Sequence, residues 1–221
     1  MRANGKPSLE VEFADLEENK LMIKNYKIPI IYQKMEERGY TTQENYLWLN
    51  EMEWMSINQI SQYEYDEGES ELLIPFAFTG GGDKWVWIVN DENKEYCVGL
   101  CEDGEINGIY YAKNTEDAIF RQIIEYISDS NFYVCESKAK SYQISETKLT
   151  QLLEIWKNGF KEILNDNYIQ IIDNVSKLRL KHTKSQYGEW EALLTLDEKN
   201  EILNRYIKFD LLDKEFEWYI K

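Results

Sequence analysis

Apolar and polar positions follow a two-residue period most clearly between Leu72 and Tyr111. Leu72–Phe78, Lys84–Val89, Lys94–Leu100 and Glu105–Tyr111 are short, rich in aromatic and β-branched side chains and bounded by turn residues, which predicts four strands. Their separators, Thr79-Gly80-Gly81-Gly82-Asp83, Asn90-Asp91-Glu92-Asn93 and Glu102-Asp103-Gly104, are too short for anything but antiparallel neighbours, so the segment should form a meander. Within Trp85-Val86-Trp87-Ile88-Val89 both alternating faces are apolar. A strand covered on both sides belongs at the centre of a sheet.

After Asn114 the period lengthens to that of a helix. Asn114 is the expected N-cap, Glu116 and Asp117 sit in the first turn where the helix dipole favours acids, and Ile119, Phe120, Ile123, Ile124 and Ile127 form the stripe that packs on the sheet. Phe132–Cys135 reads as one more strand and Glu136–Ser141 as a link. Leu149, Leu152, Leu153, Trp156, Phe160, Ile163 and Leu164, then Tyr168, Ile171, Ile172, Val175 and Leu178, recur at helical spacing, and Thr195-Leu196-Asp197-Glu198 has capping-box form before Ile202, Leu203 and Tyr206. Three helices are therefore expected to end the chain, with Phe209–Tyr219 apolar enough to be tied down. The first seventy residues are less regular. Leu9, Val11 and Phe13, then Leu21 to Ile31, fit short strands or an extended arm, Tyr46–Trp54 is closer to helical spacing, and Ser56 suits the N-cap of a short turn.

Composition and charge narrow the class. The 221 residues are 43% hydrophobic, enough to bury a core, which argues against disorder and fibrous folds. No apolar run reaches the roughly 18 to 20 residues that cross a bilayer, and the acids Glu10, Glu12, Asp15, Glu17 and Glu18 are unlike a signal peptide, so a soluble, cytoplasmic protein without membrane contact is expected. A net charge of −16 would repel a phosphate backbone and speaks against nucleic-acid binding. That charge is uneven, −14 over residues 1–142 and −2 over residues 143–221. The expected organisation is an acidic α+β domain, residues 1–142, whose meander is packed by helices, with a C-terminal helical extension, residues 143–221, packed on it. An acidic unit draws in cationic partners through its long-range field.

Most candidate chemistry fails on spacing. Cys97 and Cys101 fall in one predicted strand about 13 Å apart, too far for a disulfide, and with Cys135 they make an odd number, so all three are expected reduced. The one histidine, His182, has no neighbouring cysteine at metal-site spacing; neither a metal nor a cofactor is expected. No Gly-x-Ser-x-Gly elbow occurs, and Glu64, Asp66, Glu67, Glu69 and Glu71 miss the calcium-loop template and read as a solvated acidic loop. Gly80-Gly81-Gly82 leads into a strand and Asp83, not into a helix N-terminus, so it is a turn needing positive φ rather than a phosphate cradle. Lys177, Arg179, Lys181 and Lys184 form one cationic patch, expected to pair with the acidic first unit.

The stretch Leu73-Ile74-Pro75-Phe76-Ala77-Phe78-Thr79-Gly80-Gly81-Gly82-Asp83-Lys84-Trp85-Val86-Trp87 resembles the SUKH superfamily, which includes fungal cell-wall-synthesis regulators and many bacterial immunity proteins. The Pro-Phe-Ala strand, the turn closing on Gly-Asp, the aromatic strand and the later helix entered from Asn114-Thr115-Glu116-Asp117 carry the likeness, over roughly residues 45–135. The C-terminal helices lie outside it. By this resemblance Pro75, Gly81, Gly82 and Asp83 correspond to signature positions, the fold is α+β with a twisted antiparallel sheet, and the protein has no enzyme activity. It implies an immunity protein, or antitoxin, that neutralises a basic toxin by direct binding. The expected binding residues are Asp66, Glu67, Glu69 and Asp83, with Trp85 and Trp87 as aromatic anchors if exposed. Two other functions compete: a regulatory scaffold for cell-envelope or signalling enzymes, and a hydrolase built on two carboxylates in a cleft.

Overall fold

The computed structural model describes residues 22–23, 26–89, 96–128, 146–186 and 188–219. The readings of Leu9–Leu21, Asn90–Asn93, Phe132–Ser141 and Cys135 lie outside the described residues. The chain is described from a two-strand hairpin, β1 (Met22–Ile23) and β2 (Tyr26–Lys27), and then α1 (Ile30–Glu37). The arm expected through Ile31 is thus helical from Ile30. Pro29, whose missing N–H costs nothing ahead of a helix, starts it, and Tyr32 and Met35 share its buried face. The apolar run Ile28–Tyr32 is too short for its period to decide between strand and helix. Tyr46–Trp54 is extended, contrary to its near-helical spacing. Glu51, at φ 55, turns the chain between Leu49 and Met52 into β3 (Glu53–Trp54), and the Trp54 indole donates to Leu47 O at 2.9 Å.

Ser56 does cap α2 (Ile57–Ser61), in a capping box with Gln59. The meander follows as expected: β4 (Leu73–Phe78), β5 (Lys84–Ile88), β6 (Cys97–Cys101) and β7 (Asn107–Ala112), each antiparallel to the next. Pro75 lies at the β4 irregularity, where a missing backbone donor does least harm. Asn114 caps α3 (Thr115–Tyr126), whose predicted stripe lies wholly within the main core.

The last third contains the three expected helices, α4 (Glu146–Phe160), α5 (Asp166–Val175) and α6 (Leu196–Tyr206), the last with the Thr195–Glu198 capping box. It also contains strands that helical spacing did not predict. β8 (Lys181–Ser185) and β9 (Gly188–Ala192) form a hairpin in which Thr183 and Trp190, opposite each other, are buried while Lys184 and Glu189 stay exposed. β10 (Glu215–Glu217) pairs with β7, giving the six-strand antiparallel order β10-β7-β6-β5-β4-β3. The fold is α+β.

β5 is an inner strand with both faces covered, as its sequence requires. Trp85 and Trp87 enter the main core beside Phe76, Tyr32 and α3, while Val86 and Ile88 on the opposite face are covered by Phe216 and Trp218. Side chains from both halves share the main cluster, from Ile28 to Ile207. Phe120 stacks on Tyr168 at 3.9 Å, and the Tyr168 hydroxyl donates to Asp117 at 2.6 Å, which ties α3 to α5.

Candidate functional site

At one end of the sheet the β4–β5 turn and the β6–β7 turn lie side by side, held together by Asp83. Its carboxylate accepts from Thr79 Oγ1 at 2.8 Å and from Asp103 N at 2.9 Å, one bond to each turn, while Thr79 Oγ1 in turn accepts from Gly81 N and Asp83 N. Only Gly82 of the triple glycine has positive φ, at 101°; Gly80 and Gly81 do not need it. Asp83 and Gly82 thus shape a turn, and Asp83 has no oxygen left idle for a partner.

The acidic loop preceding β4 is fixed to the same end by Lys84. The Lys84 ammonium bonds Glu69 and lies 4.0 Å from Asp66, between the rings of Tyr63 at 5.7 Å and Trp218 at 5.3 Å. Burial alone would lower the Lys84 pKa, but Glu69 and Tyr63 outweigh it and carry it upward, so the ammonium stays charged. Glu69 is no solvated loop acid: its side chain is 4% exposed and also accepts from the Tyr63 hydroxyl and Asp66 N. Nothing in the sequence distinguishes it from its exposed neighbours, because Lys84 and Trp218 reach it from distant positions. Burial likewise pushes the nearby Cys101 thiol up to about 12 and raises Cys97, which disfavours the thiolate at both positions.

The residues expected to bind a partner therefore divide. Asp66 and Glu67 are exposed, as are Glu102, Asp103 and Glu105 of the β6–β7 turn and the neighbouring Ile106, at 43%. Glu69 and Asp83 are committed to internal bonds. Trp85 and Trp87, at 1% and 0% exposure, are core residues and cannot be exposed anchors. Trp85 donates to Glu51 O, and Trp87 donates to Thr115 Oγ1 at 3.0 Å.

The cationic patch pairs differently from expectation. Lys177 bonds Asp173, Arg179 bonds Glu146, Lys181 bonds Glu198 and Lys184 bonds Glu189, so among the described residues its partners come from the same half of the chain. Helical and hairpin neighbours bring these acids closer than the acidic sheet end can come. His182 lies 3.4 Å from Glu189, exposed. The Asp173 carboxyl is held down to about 2, chiefly by Lys157 and then by Lys177. A depressed carboxyl stabilises above its unfolded pKa and loses that contribution as pH falls through the folded one. Asp173→Asn should therefore melt below the wild type above pH 4, with the gap closing as pH falls towards about 2. A gap that stays constant over that range, in thermal melts, would contradict this.

Among the described residues no group of three His, Cys, Asp or Glu side chains could hold a metal ion, and no helix is long and apolar enough to cross a membrane. No family model, curated protein sequence or solved structure matches this chain.

Proposed function

We propose that the chain is a protein-binding module of immunity type, acting in the cytoplasm, which neutralises a basic toxin by docking it on the acidic end of the sheet. The supporting observation is the exposure of Asp66, Glu67, Glu102, Asp103 and Glu105 on turns that Asp83 and Lys84 lock in place. Preorganised charge of one sign speeds encounter with the opposite sign, and the exposed Ile106 beside Glu105 offers a small apolar contact that can be desolvated. The likeness of Leu73–Trp87 to SUKH proteins supports the same function, and Glu69, Asp83, Trp85 and Trp87 pass from binding roles to supporting ones.

The test is binding to the polypeptide encoded beside this one, with association rates measured across ionic strength. The wild type should associate about tenfold or more faster at low salt than at high salt. The combined Glu67→Lys, Glu102→Lys, Asp103→Lys and Glu105→Lys variant, which keeps Asp66 beside Lys84, should lose a similar factor while its unfolding midpoint hardly moves. Binding that ignores both salt and charge reversal, or no complex at low ionic strength, would count decisively against the proposal.

A further inference from the structure

The segment Glu215–Tyr219 closes two surfaces at once: the β7 edge, and the sheet face opposite the main core. Phe216 fills a slot made by two glycines. A Cβ at Gly99 would stand 2.7 Å from its ring and one at Gly108 2.8 Å, closer than side chains pack, so both positions keep room for this ring. Trp218 belongs to a small apolar cluster with Leu73, Val86 and Cys101, separate from the main core. The segment's fastenings are a three-residue ladder to β7, a bridge from Tyr219 to Glu69, a bond from Asn107 to Glu215 at 3.1 Å, and the contacts of Trp218. Trp218 N donates to Ile106 O, Ser70 N donates to Trp218 O, and Lys84 lies over the ring.

Two features favour release. The Trp218 indole N–H is buried with no acceptor among the described residues, a loss that solvent would repair. The turn entering β10 holds Asp213 in the left-handed region at φ 59, and β10 itself pairs over three residues. Cooperative units with few buried contacts open at lower free energy than the whole molecule.

We propose that Glu215–Tyr219 is a detachable strap, which leaves the sheet while the main core stays folded and so uncovers the β7 edge and the glycine-lined slot. Cys101 lies fully buried beneath it and reports its opening.

The experiment is native-state alkylation of the full chain with iodoacetamide at mildly alkaline pH, resolved to Cys101 by peptide mass spectrometry, over urea concentrations below the unfolding midpoint. Labelling of Cys101 should depend on urea far less steeply than global unfolding does. Trp218→Ala should speed it on the order of a hundredfold. Gly99→Ala, whose new methyl displaces Phe216, should speed it about tenfold. If wild-type Cys101 labels only at the rate and urea slope of whole-molecule unfolding, the segment is an integral strand and the proposal is wrong. That measurement needs no variant to fold.

Discussion

Trp87→Ala should cost about 3–5 kcal/mol of folding stability, the largest loss expected from any single sheet residue. The indole is fully buried, stacked on Phe76 at 4.7 Å and 15°, and met edge-on by Tyr32 at 4.9 Å. Truncation removes both ring contacts, and the rigid strand on one side and α3 on the other leave the hole little freedom to collapse. It also takes the donor from Thr115 Oγ1 at the start of α3. Against a total of about 5–15 kcal/mol, the loss is about a fifth or more of what holds the fold. In urea the midpoint should fall with the slope unchanged. Trp87→Phe keeps most of the stacking and gives up the hydrogen bond, so it should cost about 1–2 kcal/mol. A partner-facing tryptophan would behave in the opposite way, with Trp87→Ala shifting stability by less than about 0.5 kcal/mol while binding collapsed. That result would return Trp87 to the interface.

What could be read from the sequence was local. The caps at Ser56, Asn114 and Thr195 each need a partner three residues away, and the β4–β7 meander needs only short turns, so both follow from neighbouring residues. The same segment already contained the answer for Trp85 and Trp87: two apolar faces place a strand inside a sheet, which leaves its tryptophans no exposure. Long-range pairing was not legible. Phe216-Glu217-Trp218 alternates as a strand should, yet its partner Asn107–Ile109 lies more than a hundred positions earlier, and only folding brings them together. The β8–β9 hairpin was hidden because it is mostly polar: Lys184 pairs with Glu189 and Lys181 with Glu198 of α6, and its buried face holds a polar Thr183 opposite Trp190. At the candidate site, exposed carboxylates at Asp66 and Glu67 were legible as charge. The burial of Glu69 was not, since it depends on Lys84, Tyr63 and Trp218 converging from three separate segments.

Arg121→Ala is expected to cost about 3–5 kcal/mol, because it breaks a buried ionic network from its centre. The guanidinium, 7% exposed, donates to Glu125 Oε1, Tyr111 O and Asp213 Oδ1, each at 2.8 Å, and lies 4.0 Å from the Tyr111 ring centre. Burial alone would make it easier to deprotonate, but Glu125, Tyr111 and Asp213 more than reverse that, so it remains a cation throughout the accessible pH range. Truncation strands the Glu125 carboxylate against the Tyr111 hydroxyl and leaves the buried Tyr111 carbonyl without a donor. Arg121→Lys restores the charge but not the three-way fork, so most of the loss should persist. Asp213 is the weaker limb: its side chain is 59% exposed, water can replace the guanidinium there, and Asp213→Asn should cost less than about 1 kcal/mol. The two variants together discriminate between a network paid for by burial and one spread over the surface. Equal losses at Arg121 and Asp213 in urea titrations would mean that the bond between α3 and the turn before β10, not the half-buried pair with Glu125, carries the stability.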